Sequence, residues 1–401
     1  MKKTLFIVAF SAITLAGFAQ GREQQGKEQK IPYEFTDVKT NEITGAKDQG
    51  RAGICWSFGT MAMIESDVIK AGKGTHDLSE LWIVRHTYLN KVKKYVRMHG
   101  YNNLGQGGNA HDLTDVIAEY GVVPEEVYRG LNYGTDTHVH GEIDEILINY
   151  AKAIVANPNK TLTPVWLEGV EAILDIYFGK RPETFTYQGK EYTPISFAKE
   201  LGIDATNYVS ITSFSHHPFY TAFPLEIPDN WAWKPSINVP LEEFDVILDE
   251  CINNGYTVSW GSDVSGDGFV YNKGFAVLPE TNIDAIDNLE KARWVDLTPG
   301  EAAARILKFD EVVPEIKVTQ ESRQIKFDNY TTTDDHGMQI YGIAKDQNGK
   351  KFYKVKNSWG TNHIMQGCFY ASQPFFLEKT TNFLVNKNAL SSKTKKKLGI
   401  E

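Results

Sequence analysis

Cys55 is the residue around which chemistry can be assembled. It follows a glycine-bearing loop, Gln49-Gly50-Arg51-Ala52-Gly53-Ile54, and opens a run to Lys70 in which Trp56, Ile64 and Val68 are apolar at helical spacings. A helix N-terminus offers free N–H groups and partial positive charge. Both favour thiolate over thiol, and the thiolate is the attacking species. Alone, such a position more often holds a buried structural cysteine. Gln49 changes that reading. It lies six residues earlier, across a glycine turn, so its amide can fold back beside the thiol. With the Cys55 N–H it would form an oxyanion hole, where one donor is worth about 3 kcal/mol of barrier.

A base and an orienting group follow much later. Asp335-His336-Gly337 precedes the strand pattern Met338 to Ala344, and Asn357-Ser358-Trp359-Gly360 ends the next strand pattern, Lys351 to Asn357. On adjacent antiparallel strands the two side chains can meet. Asn357 Oδ1 would accept from one ring nitrogen of His336 while the other faces the thiol. Trp359 could then shield that hydrogen bond from water. Singly, His336 and Asn357 read as turn residues; with the Gln49–Cys55 loop they read as one nucleophilic set.

Other reactive types are weaker. His216-His217 and the His138/His140 pair show no neighbouring Cys or carboxylate frame that would complete a metal site, so they read as loop residues and no metal is expected. Cys251 falls on an apolar-rich helical pattern and Cys368 before a strand, as buried thiols would. Three cysteines leave at least one unpaired.

The elements that must position Cys55, His336 and Asn357 segregate along the chain. Leu78-Ser79-Glu80 opens a second helix, Gly105-Gln106-Gly107-Gly108 is a loop, and Asp112 to Glu119 a third helix closed by Gly121. Ile143 to Val155, Trp166 to Phe178, Leu241 to Asn254 and Ala302 to Phe309 have helical periodicity, and Tyr256 to Trp260 reads as a strand. Strand patterns dominate after residue 338, with Gln347-Asn348-Gly349 as a turn. Helices early and strands late indicate an α+β fold.

At the N-terminus, Lys2-Lys3, the apolar stretch Leu5 to Leu15 and the small-residue site Gly17-Phe18-Ala19 have the layout of a secretory signal peptide. The apolar stretch is shorter than the roughly 20 residues that span a bilayer. The expectation is an exported protein, periplasmic or secreted, with no membrane insertion after signal removal. Residues 20–30 are polar and read as disordered. A net charge of -9 argues against non-specific nucleic-acid binding.

These motifs together resemble the papain family of cysteine peptidases. Gly53-Ile54-Cys55-Trp56-Ser57-Phe58 is similar to its nucleophile segment, His336-Gly337-Met338 to its histidine segment and Lys356-Asn357-Ser358-Trp359-Gly360 to its asparagine segment. Leu78-Ser79-Glu80 and Gly107-Gly108 match in order. In the family the paired glycines let a substrate backbone lie in the non-primed cleft. Ala52 stands where the family signature has its first Cys, and Ile54 where it has a small residue, so the usual neighbouring disulfide cannot form. His336 lies 281 positions after Cys55 (336 minus 55), about twice the usual interval of ~130–150.

That interval narrows the resemblance to the bleomycin hydrolase/aminopeptidase C branch, which carries a large insertion there. Tyr192 to Phe197, Asn238 to Glu243 and Val258 to Val264 resemble segments of that branch. The resemblance implies a papain-like fold, with a helical left half, an antiparallel β right half and a large, mostly helical insertion. The expected division is 1–19 signal peptide, 20–33 lead-in, 34–124 helical half, 125–325 insertion, 326–387 β half and 388–401 tail. The implied function is peptide hydrolysis through a thioester acyl-enzyme, without cofactors, in aminopeptidase mode. An endopeptidase with an open cleft and an inactive peptide-binding scaffold are the alternatives. Members of the branch form hexamers and end in an arm that lies in the cleft. Phe383 to Lys387 resembles the start of that arm, and Glu401, if it reached the cleft, could pair with a substrate's α-ammonium.

Overall fold

A computed structural model describes residues 31–286, 291, 293 and 296–400. The signal peptide, the lead-in to residue 30 and Glu401 lie outside these residues.

Helix α1 (Cys55–Lys70) starts at the predicted nucleophile, and it is buried on nearly every side from Trp56 to Ser66. A helix apolar all round needs neighbours on both flanks. One flank meets a sheet; the other meets α2 (Glu80–Arg97) and α3 (Ala110–Tyr120). Ser79 caps α2 by accepting from the Trp82 N–H, and Asn109 with Asp112 forms a capping box on α3. Helices α4 (Gly141–Val155) and α5 (Trp166–Phe178) pack behind α2, completing a helical core that holds Ile64, Leu81, Ile83, Leu147 and Leu174. Next come a two-stranded hairpin of β2 (Phe185–Tyr187) and β3 (Lys190–Tyr192), and helix α6 (Pro194–Glu200).

The sheet has eleven strands among the described residues. Its main path runs β5 (Ala222–Pro224), β6 (Pro235–Asn238), β4 (Tyr208–Thr212), β13 (Thr380–Asn386), β7 (Val258–Ser262), β10 (His336–Lys345), β11 (Lys351–Lys356), β12 (Cys368–Ser372), β9 (Phe275–Ala276) and β8 (Phe269–Val270). Strand β1 (Thr36–Thr40) pairs with β10. Pairing is mostly antiparallel, with parallel exceptions at β4–β6 and β9–β12.

Residues 125–325, read from the sequence as a helical and partly strand insertion, carry α4 to α6, α7 (Leu241–Asn253) and α8 (Pro299–Ile306) and supply β2 to β9. Strand β7 pairs directly with β10, opposing Ser262 to His336. The insertion is therefore woven into the catalytic sheet, and the 325 boundary falls inside α9 (Gln320–Asp328).

The two faces of the sheet are served by alternate residues. Ser259 Oγ lies 2.8 Å from Thr60 Oγ1, and Gln339 Nε2 donates to Ala62 O and Ser66 Oγ, so this face meets α1. Their neighbours Val258, Trp260, Met338 and Ile340 share a second core with Phe244 and Leu248 of α7 on the opposite face. Helix α10 (Gln373–Lys379) packs there too.

The C-terminal tail follows α7. Asn386 donates to Asp67, twelve residues along α1 from Cys55, or about 18 Å of helix. The chain then forms α11 (Ser392–Leu398), held by Lys397–Glu243 and Thr394–Glu250 pairs with α7 and by burial of Leu398. Ile400 packs on the same core. Residues 392–400 are thus drawn away from Cys55 to the far face of the sheet.

Candidate active site

Cys55, His336, Asn357 and Gln49 are drawn together at the top of the α1–sheet junction. Two glycines allow that approach. A Cβ on Gly59 would lie 2.7 Å from the Met338 nitrogen, and one on Gly337 would lie 2.8 Å from the Trp56 Cα. Strand β10 therefore presses directly on the first turn of α1.

His336 Nε2 lies 2.7 Å from Asn357 Oδ1. The Ser358 N–H donates to that same Oδ1 at 2.8 Å, which identifies the atom as the oxygen. Nε2 must then carry the proton, leaving Nδ1 as the basic atom. His336 lines the same cavity as Cys55, and only 8% of its surface is exposed. The Trp359 ring covers it, with centroids 4.8 Å apart. Tyr271 and Phe269 stand edge-on to Trp359 at 5.0 and 5.9 Å. The Tyr271 hydroxyl and Asn357 Nδ2 are both buried and face one another without a well-formed hydrogen bond. These two aromatic residues come from the insertion, and sequence reasoning missed them.

Burial pushes the Cys55 thiol up to about 11, assisted by the negative charges of Asp229 and Asp335; the N–H groups of Gly337 and Trp56 pull the other way. Burial lowers His336 to about 4, against the Asn357 hydrogen bond. Each group alone therefore resists ionisation. A proton passing from Sγ to Nδ1 charges both at once, and the two opposite charges offset each other's desolvation.

Gln49 is locked beside the site. Its Oε1 accepts from Ser358 Oγ at 2.6 Å, and its Nε2 donates to Ala52 O at 2.7 Å. One Nε2 hydrogen remains for an oxyanion. The Cys55 N–H, at the first position of α1, has no partner within the helix.

The cavity beside Cys55 encloses about 440 Å³, part of it open to solvent, and its wall includes Gly108, Asp229, Trp260, Asp334 and Phe383. At the paired glycines the structure adds something unforeseen. A Cβ on Gly107 would collide with the Asp229 carboxylate, and one on Gly108 would lie 2.8 Å from the Trp56 ring. The insertion loop bearing Asp229 thus lies against the Gly107 strip. It is pinned by Asn103 Nδ2 to Pro228 O and by the Asp229 N–H to Asp334 Oδ2.

A second buried cluster braces the loop before Cys55. Lys47 Nζ meets Glu65 at 3.0 Å, Asp77 at 2.6 Å and Glu80 at 2.7 Å. The neighbouring Asp48 bridges to Trp359.

The remaining sequence candidates sit elsewhere. Cys251 is buried on α7 and Cys368 is partly exposed; all three cysteines are free. His138 and His140 are loop residues, as read from the sequence, and both are buried; burial lowers them to about 4 and about 3. Beside His216 and His217 the structure does place a carboxylate, Glu226, 3.0 and 2.9 Å from their Nε2 atoms. A separation of nine or ten positions and a loop reversal hid that partner from the sequence.

Comparisons with known proteins agree with this geometry. A family model described as "Papain family cysteine protease" matches residues 31–157, and one described as "Peptidase C1-like family" matches residues 290–401. The chain is 23% identical to aminopeptidase C of Lactobacillus helveticus, covering 96% of this chain and 90% of the relative. It is 21% identical to aminopeptidase G of Lactobacillus delbrueckii subsp. lactis, covering 89% and 83%. Among solved structures, pepw from Lactobacillus rhamnosis superimposes with a TM-score of 0.66 at 17% identity, covering 91% of this chain and 84% of that one.

Proposed function

We propose that this papain-like cysteine peptidase, of the aminopeptidase C branch, removes N-terminal residues from peptides through a thioester acyl-enzyme. The observation that carries the chemistry is the His336–Asn357 hydrogen bond, which fixes the tautomer and leaves Nδ1 basic beside Cys55. Cys55 Sγ attacks the carbonyl as its proton passes to Nδ1. The Cys55 N–H and Gln49 Nε2 receive the oxyanion. His336 then protonates the leaving amine, and in the second half it activates the water that releases the acyl group.

Aminopeptidase mode is supported by the relatives' activity and by Asp229, whose carboxylate takes up space against Gly107. Aminoacyl-coumarin substrates assayed beside N-acetylated peptides test it. Strong turnover of the blocked peptides would favour the endopeptidase reading.

Two further readings rest on the sequence. Lys2-Lys3, Leu5 to Leu15 and Gly17-Phe18-Ala19 support export with cleavage before Gln20; N-terminal sequencing of the processed protein in each cell fraction tests this. The resemblance supports a hexamer, which sedimentation of the processed protein distinguishes from a monomer.

A further inference from the structure

Resting on the aminopeptidase reading, we propose that Asp229, backed by Asp334, receives the substrate's α-ammonium. Three observations meet here. Residues 392–400 pack on α7, on the sheet face away from Cys55, and bring no carboxylate to the cleft. Asp229 and Asp334 line the same cavity as Cys55 and His336, on the Gly107 side. Among the described residues, no donor reaches the Asp229 carboxylate. Lys91, the cation nearest in character, spends its Nζ on Gly105 O and Gly107 O. A largely buried carboxylate without a donor is costly, and a ligand bringing three N–H donors and a positive charge relieves that cost.

The neighbouring unpartnered atom identifies the ligand as substrate. His336 is more than nine-tenths buried, and its Nδ1 opens on this cavity without a hydrogen-bond partner. An acyl group at Cys55 shares this cavity with His336, Asp229 and Asp334, so its free amine can be received by the carboxylates.

The placement has a second effect. The Asp229 charge is among those that hold the Cys55 thiol up. An ammonium docked on Asp229 neutralises that charge and makes the thiol easier to ionise. The correct substrate thus helps to activate the nucleophile, while an N-blocked one does not. The charged groups facing Asp229 are Lys91, Asp112 and Asp334. Burial raises Asp229 to about 6 and Asp334 to about 7, with Asp229 raising Asp334 further. As pH falls through about 7 to 6 the two carboxylates take up their protons in successive steps, and the ammonium site is lost over that window.

The test compares an aminoacyl-coumarin with its N-acetyl derivative on wild type, Asp229→Asn and Asp334→Asn, with active sites counted by epoxysuccinyl titration so that misfolded protein is excluded. Asp229→Asn is expected to lose roughly 10- to 100-fold in kcat/KM for the free-amine substrate, mostly through KM, and under 3-fold for the acetylated one. Asp334→Asn should lose less, and in both variants the acid limb near pH 6–7 should flatten. Equal losses on both substrates, or an unchanged free-to-blocked ratio in Asp229→Asn, would overturn the inference alone. A wild type that prefers the acetylated substrate would overturn the aminopeptidase reading and this inference with it.

Discussion

Replacing Asn357 by alanine isolates the step on which the chemistry turns. Asn357 is 1% exposed and His336 8%, so bulk solvent does not reach the lost acceptor's place. The His336 Nε2–H would be left buried without a partner, which costs about 1–3 kcal/mol. The ring would also be free to exchange tautomers, and the form protonated on Nδ1 cannot accept the Cys55 proton. Asn357 does not border the substrate cavity, so ground-state binding should be spared. At ~1.4 kcal/mol per tenfold, kcat should fall about 10- to 100-fold with KM within twofold. Steady-state turnover of an aminoacyl-coumarin gives both constants, and the rate of Cys55 alkylation should fall in parallel. A variant that folds and keeps kcat within twofold would refute the assignment of His336 Nδ1 as the base held in place by Asn357.

Other substitutions probe the supports of the site. Lys47→Met strands Glu65 and Glu80, which are 0% and 3% exposed at the side chain, and should destabilise the protein by about 3–5 kcal/mol in urea unfolding. Trp359→Ala uncovers the His336–Asn357 bond at a residue that is itself 40% exposed; kcat should drop about tenfold with little change in urea midpoint. Deleting residues 391–401 removes the buried Leu398 and the pairs to α7, costing about 2 kcal/mol or more of stability. The preference for unblocked over blocked substrates should nevertheless stay within twofold, because the tail lies across the sheet from Cys55.

The candidate site was legible because Cys55, His336 and Asn357 each sit at an element boundary, and boundaries leave marks. Cys55 follows a glycine loop, His336 opens a strand, and Asn357 closes the next. Helices α1, α3 and α5 were equally readable from apolar spacing and closing glycines such as Gly121. What stayed hidden depends on long-range pairing. Strands β4, β5 and β6 are only three to five residues long, and β13 is buried throughout, so it shows no alternation. Asp229 and Tyr271 carry no local signature of a site. They reach it only because β7 of the insertion pairs with β10, which no periodicity reveals. The tail's course was hidden for a related reason. Phe383 and Leu384 of β13 line the cleft, but the residues after β13 follow α7 through contacts that only the folded chain creates.

The most direct test is to incubate the processed protein with an epoxysuccinyl peptide, map the adduct by mass spectrometry, and compare turnover by wild type and Cys55→Ala. The account predicts one adduct per chain, on Cys55 and on neither Cys251 nor Cys368, with aminopeptidase activity abolished by labelling and absent in Cys55→Ala. Labelling elsewhere, or turnover that survives in Cys55→Ala, would contradict it.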